Sequence, residues 1–134
     1  MATEIKRKSI SQNRAKFAWE YAEQGKSEAK DKYKAHVREF PMLVLTSGLV
    51  NAVAFAYEKG AVESKDSEGD KGWKLVYKHL EKWLKSDNEQ RLFDFNDKTL
   101  IAALVGIQSN DMNTIRAISN ETISLFTWLK RFVS

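Results

Sequence analysis

Residues 71–85 read KGWKLVYKHLEKWLK, and the spacing within this stretch decides the fold class. The large apolar side chains recur at steps of three and four, so they line one side of an α-helix; they are Trp73, Val76, Leu80, Trp83 and Leu84. The lysines recur at similar steps on another side; they are Lys71, Lys74, Lys78, Lys82 and Lys85. The stretch therefore predicts an amphipathic helix that buries its apolar face and turns its lysines to solvent.

The residues before this stretch predict three more helices. The first begins at Ser9 and is stopped by Gly25, and the second begins at Ser27. Pro41 ends the second helix or opens the third. The third, over about 42–58, is apolar nearly all round, which predicts that other helices surround it. An exposed acidic loop is expected over 61–70.

Two helices are predicted after it. A short helix starts near Asn96, where Phe95 and Leu100 could pack together across the helix start. The last helix opens near Asn110 and carries apolar residues at three-four steps up to Phe132. The predicted fold is all-α, a compact bundle of about six helices around a buried central helix (about 42–58). One domain spans 1–134, with a frayed N-terminus over 1–8.

Composition argues against an enzyme. The chain has 134 residues, no cysteine and two histidines, His36 and His79, so it offers no thiolate and few groups for acid–base or metal chemistry. The acidic run from Asp66 to Asp70 lacks the glycine and glutamate that a calcium loop requires. Each histidine is interpreted as a surface or boundary residue. We expect no catalytic site, no metal and no cofactor.

No membrane segment is predicted. The longest uncharged run, from Phe40 to Tyr57, contains Pro41 and several polar residues, which favours a core helix over a membrane span. The N-terminal residues lack the apolar stretch of a signal peptide. A cytoplasmic location is expected.

Charge favours a polyanionic partner. The net charge is +4 and the sequence pI is about 9.2. The excess lies in two blocks, because residues 1–38 carry 10 basic and 5 acidic side chains and residues 71–91 carry 6 and 3. A row of lysines can neutralise phosphates without reading sequence. A merely solvated helix face remains the alternative for the row on 71–85.

Three stretches together resemble a known family. They are NRAKFA at 13–18; KYK at 32–34 leading to FPMLVLTSGL at 40–49; and IRA at 115–117 leading to Glu121 and WLKRF at 128–132. Their order and spacing resemble the small helical subunit of the Cmr (type III-B) CRISPR effector complex. Ser119-Asn120 departs slightly from the expected pattern.

The resemblance implies a non-catalytic, all-α structural subunit. Copies of such a subunit stack along the RNA-guided complex, face the repeat subunits that grip the guide, and bridge towards the large subunit. They help to line the groove that holds the guide RNA–target duplex. A helical protein–protein interaction module without nucleic-acid contact stays open, and a small nuclease is disfavoured. The candidate nucleic-acid-binding residues are Arg14, Lys16, Lys71, Lys74, Lys78, Lys82, Lys85, Lys130 and Arg131.

Overall fold

Five helices make up the described part of the chain. The computed structural model describes residues 2–61, 68–85, 98–107 and 111–133. The helices are α1 (Ala2–Ser47), α2 (Leu49–Ala61), α3 (Glu68–Lys85), α4 (Leu100–Val105) and α5 (Met112–Val133), and these residues contain no strand. The prediction of an all-α fold is confirmed.

Helix α1 is bent sharply at Lys30, whose backbone angles (φ 50°, ψ −130°) are not helical. We call residues 2–29 the N-arm and residues 31–47 the C-arm. Arg14 of the N-arm and Phe40 of the C-arm would lie about 39 Å apart in a straight helix. Their contacts on α5, Glu121 and Phe126, are only five residues apart. The C-arm therefore folds back alongside the N-arm.

Gly25 marks the close contact between the arms and not the end of a helix. A Cβ at this position would overlap the ring of Tyr33, so only glycine lets the C-arm approach this closely. The sequence predicted a stop at Gly25 and a new start at Ser27, but both residues are helical and the break falls at Lys30. Two arms are present as predicted, with their boundary five residues later than Gly25.

The predicted central helix over 42–58 is divided in the structure. Gly48 has φ 89°, and α1 ends before it while α2 begins after it. The expectation of burial on all sides was also wrong, because Met42 and Leu45 are 62% and 70% exposed. A left-handed glycine ends α1, so the apolar residues before and after it belong to two separate helices.

The core is formed by both arms of α1 with α2, α3, α4 and α5. The predicted apolar face of α3 is buried at Trp73, Val76, Leu80, Trp83 and Leu84. In α5 the buried residues recur at the predicted three-four steps and are Ile118, Thr122, Leu125, Phe126, Leu129 and Val133. Helices with a strong 3.6-residue period thus lie as the sequence predicts.

Several predicted boundaries move or fall outside the described residues. Helix α4 is capped by Thr99, whose hydroxyl accepts a hydrogen bond from the Ala102 N–H, so its start is later than Asn96. Asn96, Phe95 and Asn110 lie outside the described residues. Residues 2–8 belong to α1. Helix α3 begins at Glu68, within the predicted loop 61–70, and residues 62–67 lie outside the described residues.

Across the residues that the structure describes, every helix is too short or too polar to span a lipid bilayer.

Candidate nucleic-acid interface

The five lysines of α3 form one row on its solvent side, which we call the lysine row: Lys71, Lys74, Lys78, Lys82 and Lys85. At 100° per residue the row occupies a sector of about 80° and a length of about 21 Å. The first four side chains are exposed, and the Lys85 side chain is 34% exposed. The opposite face of α3 is buried, so the row cannot turn inward without unpacking the helix.

Glu81 is the acidic residue of α3 whose side chain the structure describes, and its carboxylate is already engaged. Glu81 Oε2 accepts a hydrogen bond of 2.8 Å from the Leu100 N–H and lies 3.4 Å from the Tyr77 hydroxyl. The ammonium group of Lys85 lies 4.0 Å away, at the limit of an ion pair. Because these bonds hold Glu81 at the start of α4, its charge offsets one end of the row at most.

Tyr77 and Glu81 together fix α4 against α3. The Tyr77 hydroxyl accepts a hydrogen bond of 3.1 Å from the Ile101 N–H. With Thr99 as the cap residue, three side-chain oxygens thus accept from the first N–H groups of α4. Burial is the main cause that raises the pKa of Tyr77, which keeps its hydroxyl neutral.

His79 lies on the inner side of α3 and contacts both arms of α1. Its ring stacks on Tyr21 at 4.5 Å. Its Nδ1 lies 2.7 Å from the Tyr33 hydroxyl and its Nε2 lies 3.0 Å from Gln24 Oε1. A neutral ring that accepts from Tyr33 and donates to Gln24 satisfies both nitrogens.

The environment of His79 holds it in this neutral form. Burial, with a smaller contribution from the charge of Lys82, lowers the pKa of His79 to about 3. Burial likewise raises the pKa of Tyr33 and, with a smaller contribution from Glu20, raises the pKa of Tyr21 to about 12. The prediction that His79 is a surface or boundary residue was wrong, since it is 1% exposed.

His36 lies at the boundary between core and surface, as its interpretation expected. Its ring stacks on Trp73 of α3 at 4.2 Å. Its Nδ1 lies 3.6 Å from the exposed carboxylate of Glu39, one helical turn away. The side chain is 14% exposed, so the ring serves mainly to pack the C-arm on α3.

Arg14 joins three helices. Its guanidinium donates two hydrogen bonds to Glu121 of α5, at 3.2 and 2.8 Å. Glu121 Oε1 also accepts a hydrogen bond of 2.9 Å from the Trp83 indole N–H of α3. The two charged side chains are only 16% and 12% exposed, so Arg14 is committed to the fold.

The remaining candidate cations lie on other helices. Lys16 is exposed on the N-arm, and Lys130 and Arg131 are exposed in the last turn of α5. The guanidinium of Arg131 lies 5.1 Å from the ring of Trp128. Arg116 shares the outer face of α5 with this pair and is also exposed; its helical spacing from Lys130 could have identified it from the sequence.

Several large apolar side chains are exposed, and their sequence pattern did not predict it. Met42 and Leu45 lie one turn apart on the C-arm, and Val105 of α4 and Met112 of α5 are 67% and 57% exposed. The uniform hydrophobicity of 40–57 gave no period from which an outward face could be identified.

Within the described ranges, no three His, Asp or Glu side chains approach closely enough to hold a metal ion.

These features define a class of protein, an all-α bundle with a row of lysines on the outer side of one helix. Residues 10–134 match the family model described as CRISPR-associated protein (Cas_Cmr5), so the chain belongs to this family. The resemblance to the small subunit of the Cmr (type III-B) system is thereby confirmed. The chain is a Cmr complex subunit of CRISPR defence, and its partners include other subunits of that complex.

Proposed function

We propose that this chain is a non-catalytic structural subunit that stacks with copies of itself and lines the groove of the guide RNA–target duplex. The observation that carries the proposal is the lysine row on α3. Four of its lysines are exposed, and the carboxylate of Glu81 beside the row is held by the start of α4. The row would bind phosphates of a strand that base pairing has already selected.

The rigidity of α3 supports this function. The helix is packed on one side against both arms of α1 and on another against α2. Because the backbone of α3 is already fixed by this packing, little backbone entropy is lost when its lysines bind phosphates. Their contribution is the release of counterions, which is independent of sequence and falls steeply with salt.

The other candidate residues divide into two groups. Lys16, Lys130 and Arg131 are exposed, and we keep them as candidates for contact with a phosphate backbone or a neighbouring subunit. We leave Arg14 out of the proposed interface because its guanidinium is bound to Glu121. Moving it to a phosphate would break a largely buried ion pair.

Protein contacts are assigned to the exposed apolar residues. Met42 and Leu45, one turn apart on the C-arm, are the strongest support for a surface that meets another copy or another Cmr subunit, since contiguous exposed apolar side chains often mark a protein contact. The hydrogen-bonded, neutral His79 supports the absence of catalysis, because both ring nitrogens are used inside the core.

The experiment exchanges three lysines of the row for glutamate, in the variant K74E/K78E/K82E. A matched control, K32E/K59E/K98E, makes the same charge change at exposed lysines of α1, of α2 and of the segment before α4, so both variants move from a net charge of +4 to −2. Binding of assembled complexes to target RNA is measured over a series of salt concentrations. We expect only the row variant to bind weakly. Its plot of log affinity against log salt concentration should be shallower than that of the wild type by about 2 in slope.

Equal binding by the row variant and the wild type would contradict the lysine-row contact. It would favour the second candidate function, a protein–protein interaction module, for which the exposed Met42 and Leu45 are the specific observation. Equal weakening by the control would contradict the assignment to α3, because it would trace the effect to net charge.

A further inference from the structure

The bend in α1 rests on a residue that does not favour it. Lys30 is the one non-glycine residue with positive φ among those that the structure describes. Its angles, φ 50° and ψ −130°, fall in a region that side chains with a Cβ rarely adopt. Backbone strain is therefore concentrated at the single residue that connects the two arms.

The surrounding sequence favours a straight helix. Residues 26–40 contain no glycine and no proline, and residues 28–32 read EAKDK, which are mostly strong helix formers. Glu28 and Lys32 have the four-residue spacing that stabilises a continuous helix. Local preference and tertiary packing thus disagree at Lys30, which is unusual for a natural sequence.

The contacts of the N-arm do not depend on its connection to the rest of the chain. Arg14 bonds to Glu121 of α5, and Gln24 bonds to His79 of α3. Phe17 packs against Trp83 at 5.1 Å. All three contacts join the N-arm to helices beyond the bend, so the N-arm of a second copy could make them equally well.

We propose that α1 can straighten at Lys30 and that two copies of this chain then exchange their N-arms. The straight helix would be about 69 Å long over its 46 residues. Each core would keep its full set of contacts with an N-arm, now supplied by the partner copy. Both copies would lose the strained backbone, and this loss opposes the entropic cost of association.

The exchange goes beyond the proposed function, and it can fail without affecting it. It uses interior contacts of the N-arm, whereas the lysine row lies on the outer side of α3. Its test therefore measures mass and thermal stability and involves no nucleic acid.

The first experiment varies residue 30. Chains are refolded from urea at high concentration and their mass distribution is measured by size exclusion with light scattering. Lys30→Gly accepts φ 50° and weakens a straight helix. We therefore expect the association constant for its dimerisation to fall by roughly tenfold or more. Lys30→Ile, which disfavours positive φ, should raise it. Lys30→Ala keeps the same conformational preference as lysine and is the matched control, expected to behave as wild type.

The second experiment identifies the exchanged segment. R14E places two carboxylates at positions 14 and 121, and E121R places two cations there. Each variant by itself therefore has two like charges facing each other, whether it is a monomer or a dimer. When the two are refolded as an equal mixture, an exchanged heterodimer regains Arg14–Glu121 at one site and a reversed pair at the other. We expect a dimer that melts above either variant alone, and the double variant R14E/E121R shows the pair restored within one chain.

Two results would overturn the proposal. The first is an identical mass distribution for wild type, Lys30→Gly and Lys30→Ile. The second is a mixture of R14E and E121R that melts as the sum of its two components without a heterodimer.

Discussion

At the scale of single residues, the packing of α3 against the two arms of α1 depends on His79 being neutral. It is enclosed by Tyr21 and Gln24 of the N-arm and by Tyr33 of the C-arm. Protonation would place a charge among these groups and turn Nδ1 from an acceptor into a donor that opposes the Tyr33 hydroxyl. The folded chain therefore resists protonation of His79.

This resistance predicts that the free energy of unfolding decreases as the pH is lowered. The pKa of His79 is about 3 in the folded chain and about 6.5 when unfolded, so only the unfolded state takes up a proton between these values. Its contribution to stability is fully present above pH 6.5 and is lost progressively as pH falls towards 3. We expect a loss of about 2 kcal/mol between pH 7 and pH 5, measured by urea unfolding.

His79→Gln separates this effect from the titration of other groups. The variant keeps a side chain that can form hydrogen bonds but cannot titrate, so its stability should depend less on pH than that of wild type. Parallel curves for the two proteins between pH 7 and pH 5 would contradict the role given to His79.

The sequence could not reveal this residue. His79 directly follows Lys78 of the lysine row, and a lone histidine on a charged helix usually lies near the surface. Its burial depends on Tyr33 and Gln24, which are 46 and 55 residues away and reach it only because α1 folds back.

At the scale of helices, α1 requires glycine at two positions for different physical reasons. Gly25 is helical, and its missing Cβ admits the ring of Tyr33. Gly48 has φ 89° and ends the helix, and a Cβ there would meet open space. One position is limited by contact and the other by backbone conformation.

Alanine substitution distinguishes the two demands. Gly-to-Ala exchange in an exposed helix usually stabilises by up to about 1 kcal/mol. We expect Gly25→Ala instead to destabilise by about 3 kcal/mol, because the Tyr33 ring must leave its position. Gly48→Ala should cost about 1–2 kcal/mol through strain alone. Thermal or urea unfolding measures both.

A stabilised Gly25→Ala variant would show that the arms do not approach each other as closely as described. A Tyr33→Ala background tests the cause, since it removes the ring that a Cβ at Gly25 would overlap. The cost of Gly25→Ala should therefore be much smaller in that background than in the wild type.

Helices were predictable where their period was strong. Helices α3 and α5 alternate buried and exposed residues at the predicted positions, including Trp83 on the inner face and Lys78 on the outer face of α3. The bend at Lys30 was not predictable, because lysine is a good helix former and nothing local marks it. The break at Gly48 was missed because the apolar residues on both sides of it, 43–45 and 49–50, were assigned to one continuous helix.

At the scale of the whole molecule, Arg14, Glu121 and Trp83 hold α1, α5 and α3 at one point. The carboxylate accepts from both partners and is only 12% exposed. Removing one partner leaves a largely buried charge with fewer hydrogen bonds, which costs more than the loss of an exposed pair.

We therefore expect Arg14→Met to lower the free energy of unfolding by about 2–3 kcal/mol, because Glu121 keeps only the indole as a donor. The matched control is Lys26→Met, which breaks the exposed pair between Lys26 and Glu23 at 3.5 Å and should cost under about 0.5 kcal/mol. Equal effects in urea unfolding would contradict the structural role of Arg14.

The exposure of the lysine row was predictable from the sequence, and the burial of Arg14 was not. The lysine row follows from helical spacing alone, because a lysine has no stable place on an apolar inner face. Arg14 has the same charge and was placed in the same group. Its commitment to Glu121 depends on a contact across 107 residues that no local pattern contains.

The junction of Arg14, Glu121 and Trp83 also constrains how this chain can diverge. Trp83 also packs in the core, but Arg14 and Glu121 depend on each other, so replacing either of the two alone should be harmful and replacing both by apolar residues should be tolerated. In related chains positions 14 and 121 should therefore coevolve, with an apolar residue at 14 wherever the carboxylate at 121 has been lost.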